Sequence, residues 1–451
     1  MFEVYFNFIL RIIYIYIYMS NIFLILPTQL FHKKYLDKKY HYVIWEHPHY
    51  FKKYKYNQKK ILLHHGSMMY YYNMLKKYKF KTSFIPYGKD FKLNKYTMFR
   101  SADKLKLKGK PIIIETPYFL LQQNHLDKYR KKTTKFFFHN FYTFAKKELD
   151  IIPNVKSKDK ENRKRMPKNT KIPKLASNNS DKEFIEIGKK LVKSKFTKNY
   201  GNTDNFKFPL THKTAKNFLV NFIKYKFKKF GDYQDFIDKN NNFLFHSVLS
   251  TSLNIGLLTP LDVINTIAKF KKKIPINSYE GFIRQLFWRE YQEYCYLYYN
   301  FKGKNYFGNR KKLTKDWYTG ELNILPVDNC IKNGFNNGYL NHIERLMVVG
   351  NFMNLSGIHP MEGMKWFIEF SCDSYEWVMY QNVLDMVFCV TGGETMKKPY
   401  ISSSNYILKM SNYKKDSWSK EWDDLFRKFI LSKKAKMQKF RYFFPFLNRM
   451  K

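Results

Sequence analysis

The sequence predicts an α/β N-terminal domain built on a Rossmann-like parallel sheet, followed by a larger all-α domain, and three observations on the 451 residues support this. Between residues 21 and 90, short apolar runs alternate with helical stretches, which is the pattern of parallel βα units. Residues 151–180 are Lys, Asn, Pro and Ser with scarcely an apolar side chain, the composition of a basic polar linker. From about Asp181 to residue 430, apolar residues recur at helical spacing.

Taken in order, residues 22–26, 42–45, 61–64 and 83–86 read as strands, and residues 112–115 as a further one. Residues 68–78 read as an amphipathic helix. In the second half, Thr259, Pro260 and Asp262 form a helix start: an N-cap hydroxyl, a proline in the first turn and an acid at the third position. Residues 280–299 and 341–354 are strongly periodic helices. The working division is 1–20 as an extension, with Met19 the expected start; 21–150 as the α/β domain; 151–180 as linker; 181–430 as the helical domain; and 431–451 as a basic tail. The stretch 428–451 reads as a phosphate-contacting tail or a solvated helix.

Lysine and arginine number 82 against 36 acidic residues, a net charge of +46 that favours nucleic acid as partner and disfavours a cationic one. AT-rich coding bias accounts for part of the lysine excess. Cys295, Cys330, Cys372 and Cys389 are far apart with no C-x-x-C, which excludes a disulfide scaffold, argues against a zinc ribbon and fits a reducing, intracellular compartment. Residues 4–19 are apolar but broken by Arg11 and shorter than the roughly 20 residues a membrane span requires, so no membrane anchor is expected. No G-x-G-x-x-G or G-x-x-x-x-G-K-[ST] motif is present.

The chemistry-bearing residues cluster in the second half. Ser247, Ser250, Thr251 and Ser252, followed by Leu253, offer hydroxyls just before a Gly256 turn and a helix N-terminus, a setting suited to pyrophosphate; an ordinary Ser/Thr cap reads the same way. Glu280, Arg284 and Trp288 share a helix face, with Gln285 and Arg289 on the adjoining stripe; a surface salt-bridge ladder has this pattern too.

Four segments carry a resemblance: 244–260 (LFHSVLSTSLNIGLLTP), 279–291 (YEGFIRQLFWREY), 341–352 (NHIERLMVVGNF) and 398–407 (KPYISSSNYI). With 159–168 (DKENRKRMPK) and 22–29, they resemble in order the photolyase/cryptochrome flavoprotein family. The resemblance is greatest to the prokaryotic-type photolyase-related branch that usually carries an iron–sulfur cluster. It implies a light-driven DNA photolyase that uses FAD to reverse UV-induced pyrimidine dimers, of the (6-4) or cyclobutane type, in a lesion flipped out of damaged DNA. A cryptochrome-like photoreceptor without repair is the alternative, and a basic DNA-binding protein that has lost flavin is a third reading.

By resemblance, Ser247, Ser250, Thr251, Ser252, Leu253, Arg284, Gln285, Trp288, Arg289 and Asn351 hold FAD, and Arg345 with Asp373 is the ion pair over the flavin. His342 matches the proton donor of (6-4) repair, with Asn341 before it where the branch usually has a second histidine. Tyr400, Tyr406, Asn405 and Lys398 match the lesion side. Trp366 matches one member of the photoreduction relay, while Tyr318 stands where a tryptophan is usual and Phe367 where a tyrosine is usual; Met379 is a further altered position. Residues 410–418 lack the branch's cluster cysteines, so no iron–sulfur cluster and no other metal is expected. A second, antenna chromophore in the first domain is allowed by the resemblance, although no motif identifies it. A monomer of viral or other AT-rich origin is expected.

Overall fold

The computed structural model describes residues 21–89 and 92–449. The expected extension over residues 1–20 lies outside the described residues. Five strands, β1 (Ile22–Ile25), β2 (His41–Trp45), β3 (Lys81–Ile85), β4 (Lys95–Phe99) and β5 (Lys110–Ile114), form one parallel sheet in the order β3-β2-β1-β4-β5. The register pairs Ile22 with His41, Phe23 with Thr97, and Thr97 with Ile112. β1 is buried along its whole length, as a central parallel strand covered on both faces requires. β5 is an exposed edge, and Lys110 and Pro111 blunt it against pairing.

Helix α1 (Gln58–Lys77) crosses over between β2 and β3, with the Asn57 side chain accepting from the Lys59 amide at 2.9 Å as its N-cap. This corrects one expectation: residues 61–64 are not a strand but the first turns of α1. Their apolar run is continuous because both sides of the helix are covered, by the sheet and by α3 (Lys182–Lys195). A Cβ on Gly66 would meet the Phe184 carbonyl at 2.7 Å and one on Gly188 would meet Leu62 at 2.8 Å, so glycine at both positions lets the two helices touch. Strand β4 had no counterpart among the expected strands.

The remainder is mostly helical, with α2 (Phe138–Glu148) bridging from the sheet. Its long core helix is α5 (Ile276–Tyr298), preceded by α4 (Pro260–Ala268), on which Thr259 accepts from the Asp262 amide at 3.1 Å as anticipated. α6 (Pro360–Phe370) and α7 (Ser417–Ser432) complete the frame. The helix expected over 341–354 is wider than an α-helix through Glu344–Gly350 and regular only from Asn351 to Leu355. Phe222–Lys226 and Tyr380–Val387 are also π stretches. Such insertions push one side chain out of register and recur at functional sites.

The polar stretch 151–180 folds against the helical region: Asn162 is buried against Gly281, and the Lys158 amide donates to Glu280 at 3.0 Å. The C-terminal stretch is not a solvated helix, because Met437, Phe440 and Leu447 are buried. All four cysteines are buried and unpaired. No helix among the described residues is long and apolar enough to cross a membrane.

Candidate functional site

The turn before Ser250 is bent by an unusual backbone. Val248 has φ +55, a left-handed conformation that a β-branched residue adopts only under constraint and that clusters at functional sites. This turn presents Ser250, whose hydroxyl donates to Asp373 Oδ2 at 2.6 Å. Arg345 Nη2 lies 2.9 Å from the other oxygen, and Ser371 donates to it as well. Burial acts to raise the Asp373 pKa, but Arg345 and the two hydroxyls outweigh it and hold the carboxyl below its ordinary range. The Asp373–Arg345 pair is therefore charged, buried and fixed. Arg345 is oriented from behind by the Leu340 carbonyl at 2.8 Å.

Behind this pair, Asn254 donates to the Asp373 carbonyl at 2.8 Å and accepts from Arg289 Nε at 3.1 Å. Arg289 also reaches the Tyr118 carbonyl at 2.6 Å, and its guanidinium lies 4.3, 4.7 and 4.9 Å from the rings of Tyr118, Phe119 and Trp377. It thus ties the sheet domain to the helical region through protein partners, with only Nη2 left over.

On α5, Arg284, Gln285 and Trp288 are half-buried while their helical neighbours are buried. Trp288 donates to Asn382 Oδ1 at 3.0 Å on the π stretch, and Arg284 pairs with Asp159 at 2.9 Å. Glu280, one turn earlier on the same face, lies 3.6 Å from Arg284 Nε and accepts from the Tyr142 hydroxyl at 2.8 Å.

His342 is exposed, and its Nε2 lies 3.0 Å from Asp235 Oδ1; its ring stands 5.6 Å from that of buried His246. Burial holds His246 well below the usual imidazole range, so it is neutral. Asp235 also faces Arg163 at 3.6 Å, and Arg163 donates to Asp159 at 2.9 Å. Tyr400 and Tyr406 lie within the electrostatic reach of Asp235 and Arg163. The structure therefore brings His342, Tyr400 and Tyr406 together around a charged strap of Asp159, Arg163 and Asp235, with neutral His246 behind His342; none of these four was singled out from the sequence.

Three sequence candidates do other work. The Asn341 oxygen accepts from the amides of Ile343 and Glu344 at 3.1 and 3.0 Å, which makes it a helix N-cap. Asn351 is buried and clamps Ser402 at 2.9 Å. Leu253 is a core residue. Asn405 and Lys398 are exposed. Trp366 is fully buried and donates to the Trp317 carbonyl at 2.6 Å, while half-buried Tyr318 stacks on Tyr200 with centroids 4.7 Å apart.

On the segments that carry Ser250 and Arg345, Thr251 Oγ1, Ser252 Oγ and the Asn341 side-chain nitrogen are buried without a hydrogen-bond partner among the described protein atoms, as are both polar atoms of Gln381 on the π stretch 380–387. Buried polar groups are almost always satisfied. Hydroxyls at a strained turn, a fixed cation and unspent amide donors make a donor set that fits a dinucleotide such as FAD.

The region 91–208 matches the family model described as "Deoxyribodipyrimidine photo-lyase-related protein". Over 248 residues the chain is 37% identical to a (6-4) photolyase of Agrobacterium fabrum, covering 54% of this chain and 48% of that protein, so the match spans about half of the relative's length. The fold matches a crystal structure of a bacterial class III photolyase from Agrobacterium tumefaciens with TM-score 0.55 at 14% identity, covering 87% of this chain and 86% of that one.

In sequence and in fold the chain is related to the photolyase/cryptochrome family.

Other proteins resemble the chain in fold or in sequence. A cryptochrome of Synechocystis matches with TM-score 0.55 at 11% identity, over 92% of this chain and 89% of that one. An uncharacterized protein of Acanthamoeba polyphaga mimivirus is 55% identical over 85 residues, 19% of this chain and 69% of that protein. A second from the same virus is 46% identical over 110 residues, 24% of this chain and 85% of that protein.

Proposed function

We propose that this protein is a light-dependent DNA photolyase that binds FAD in its helical region and repairs a flipped-out pyrimidine dimer, with the (6-4) photoproduct as the favoured lesion. The observation that carries the reading is the buried Arg345–Asp373 pair together with unpartnered hydroxyls and amides. Kinship with a (6-4) photolyase supports the lesion.

The flavin supplies light absorption and the electron, and the protein supplies position and charge. Thr251 and Ser252 present hydroxyls to a pyrophosphate, Arg345 offers fixed positive charge to an anionic ring, and Asp373 holds Arg345 in place. Arg284 and Trp288 close the face of α5. His342, held at 3.0 Å by Asp235, carries a proton near the lesion; an imidazole hydrogen-bonded to a carboxylate is oriented for transfer to an oxygen. Tyr400 and Tyr406 offer ring faces for the extruded bases. The positive surface binds DNA backbone.

The test is repair under blue light of separate oligonucleotides bearing a (6-4) product or a cyclobutane dimer, with dark controls. Restoration of the (6-4) substrate, lost in His342→Ala, supports the reading. Restoration of the cyclobutane dimer alone removes the proton role of His342. Flavin bound and photoreduced with neither lesion repaired overturns the enzyme reading in favour of a photoreceptor.

A further inference from the structure

On the side of the helical region where α6 meets the sheet domain, aromatic rings lead from the core to the surface. Trp366 is fully buried. The Phe335 ring lies 5.6 Å from Trp366 and 5.9 Å from Tyr318, and Tyr318 stacks on Tyr200 at 4.7 Å with an interplanar angle of 18°. The Tyr318 hydroxyl donates to Glu369 Oε2 at 3.3 Å, while the other carboxylate oxygen accepts from the Lys55 amide at 3.2 Å. Glu369 lines an open groove of about 460 Å³ whose other walls carry Lys52, Lys53, Lys55, Lys195 and Lys365. A carboxylate buried against a phenol on one side and facing a lysine-lined groove on the other is placed to take a proton and to pass it to water.

We propose that Glu369 is the proton acceptor for one-electron oxidation of Tyr318, and that the pair is the outer, proton-coupled end of an electron route from the surface to Trp366. A Trp366 that a bound, light-excited oxidised flavin would deprive of one electron would take one from Tyr318. The phenolic O–H bond breaks, the proton bonds to Glu369 Oε2, and a neutral tyrosyl radical and a neutral carboxylic acid remain. Trp366 returns to its closed-shell form and keeps its indole proton on the Trp317 carbonyl. Only the identity of the oxidant rests on the photolyase reading; the Tyr318–Glu369 step does not.

The chemistry of both partners agrees. Burial, then Glu369 and Tyr200, raise the Tyr318 pKa, so the phenol is protonated at rest and its proton must leave with the electron. Burial also raises the Glu369 pKa against the pull of Lys365, the Lys55 amide and the Tyr318 hydroxyl, which makes the carboxylate a stronger base than an exposed one. Glu362 is the further charge that Tyr318 feels. A tryptophan at position 318 would need no such base, so Tyr318 and Glu369 form one functional unit.

The test places 3,5-difluorotyrosine at position 318, so that its radical is distinguished from other tyrosyl radicals by fluorine hyperfine splitting. The full chain is oxidised in two ways: by illumination with flavin bound, and without flavin by a photogenerated ruthenium(III) polypyridyl complex. The labelled radical is expected under both, forming more slowly in deuterated water. In Glu369→Gln the rate is expected to fall on the order of a hundredfold or more, the scale of a lost general base, and the isotope effect to disappear. Tyr318→Trp should form its radical at a rate that Glu369→Gln leaves unchanged, and matched melting curves show that the variants are folded. Absence of the labelled radical under both oxidants, or a rate indifferent to Glu369→Gln, overturns the proposal. A Glu369-dependent radical seen only with the ruthenium oxidant supports the proton acceptor and removes the flavin connection instead.

Discussion

Replacing Asp373 with alanine removes the carboxylate that pairs with Arg345 at 2.9 Å and accepts from Ser250 and Ser371. The Asp373 and Arg345 side chains are 8% and 14% exposed, so the abandoned guanidinium gains little solvation in return. Breaking a buried pair from one side costs about 3–5 kcal/mol, because a buried charge is left without its counterpart. Urea unfolding followed by tryptophan fluorescence should show that loss for Asp373→Ala, and a smaller one for Asp373→Asn, which retains the hydroxyl partners. The dependence on pH has a fixed sign. The folded carboxyl titrates below its unfolded value, so its stabilisation is fully present above pH ~4 and fades as pH falls through the folded pKa. The gap between wild type and Asp373→Ala should therefore narrow in acid. A loss below about 1 kcal/mol at neutral pH, the size of a solvent-screened surface pair, would refute the buried, fixed pair on which the flavin reading depends.

Asp235→Ala frees His342 from its carboxylate partner; (6-4) repair should fall on the order of tenfold or more while flavin content stays constant, measured on matched holoprotein. Asn341→Ala removes the oxygen that caps Ile343 and Glu344 and should cost ~1 kcal/mol in urea unfolding. Arg289→Met keeps the stem but loses the Tyr118 carbonyl, Asn254 and three ring faces; a fall of about 2–4 kcal/mol in unfolding free energy is expected, from lost charged hydrogen bonds and desolvated cation–π contacts. DNA binding should weaken steeply between low and physiological salt, with the logarithm of affinity falling linearly in the logarithm of salt concentration, as titration by fluorescence anisotropy would show.

The parallel sheet was legible because β1 and β2 carry short apolar runs set between polar turns, and β3 and β5 end in one. Residues 61–64 misled for a physical reason: a helix covered on both sides loses its polar stripe, and four consecutive apolar-looking residues cannot reveal whether sheet or helix buries them. β4 was hidden because its apolar stretch is brief and follows a lysine- and asparagine-rich segment. The π stretch at 344–350 could not be read either, since periodicity over one wide turn is close to that of an α-helix.

In the site, Arg345 and Asp373 were identified by resemblance, and the structure brings them together. Asp235 was not singled out, because its partner His342 lies 107 residues away and a lone acid in a polar stretch carries no local pattern. Arg163 and Asp159 were assigned to a linker by composition, yet they fold over α5, where the charge of Arg284 requires a counterion. Asn341 resembled a site residue by position and is a helix cap by geometry.

The central claim, that bound flavin drives repair with light, is tested most directly by an action spectrum. The rate of restoring a (6-4) oligonucleotide is measured wavelength by wavelength and set beside the absorption of the reduced, flavin-loaded protein. Repair is expected to follow the flavin band and to stop in the dark. Repair that proceeds in the dark, or none at any wavelength the bound flavin absorbs, would contradict that claim.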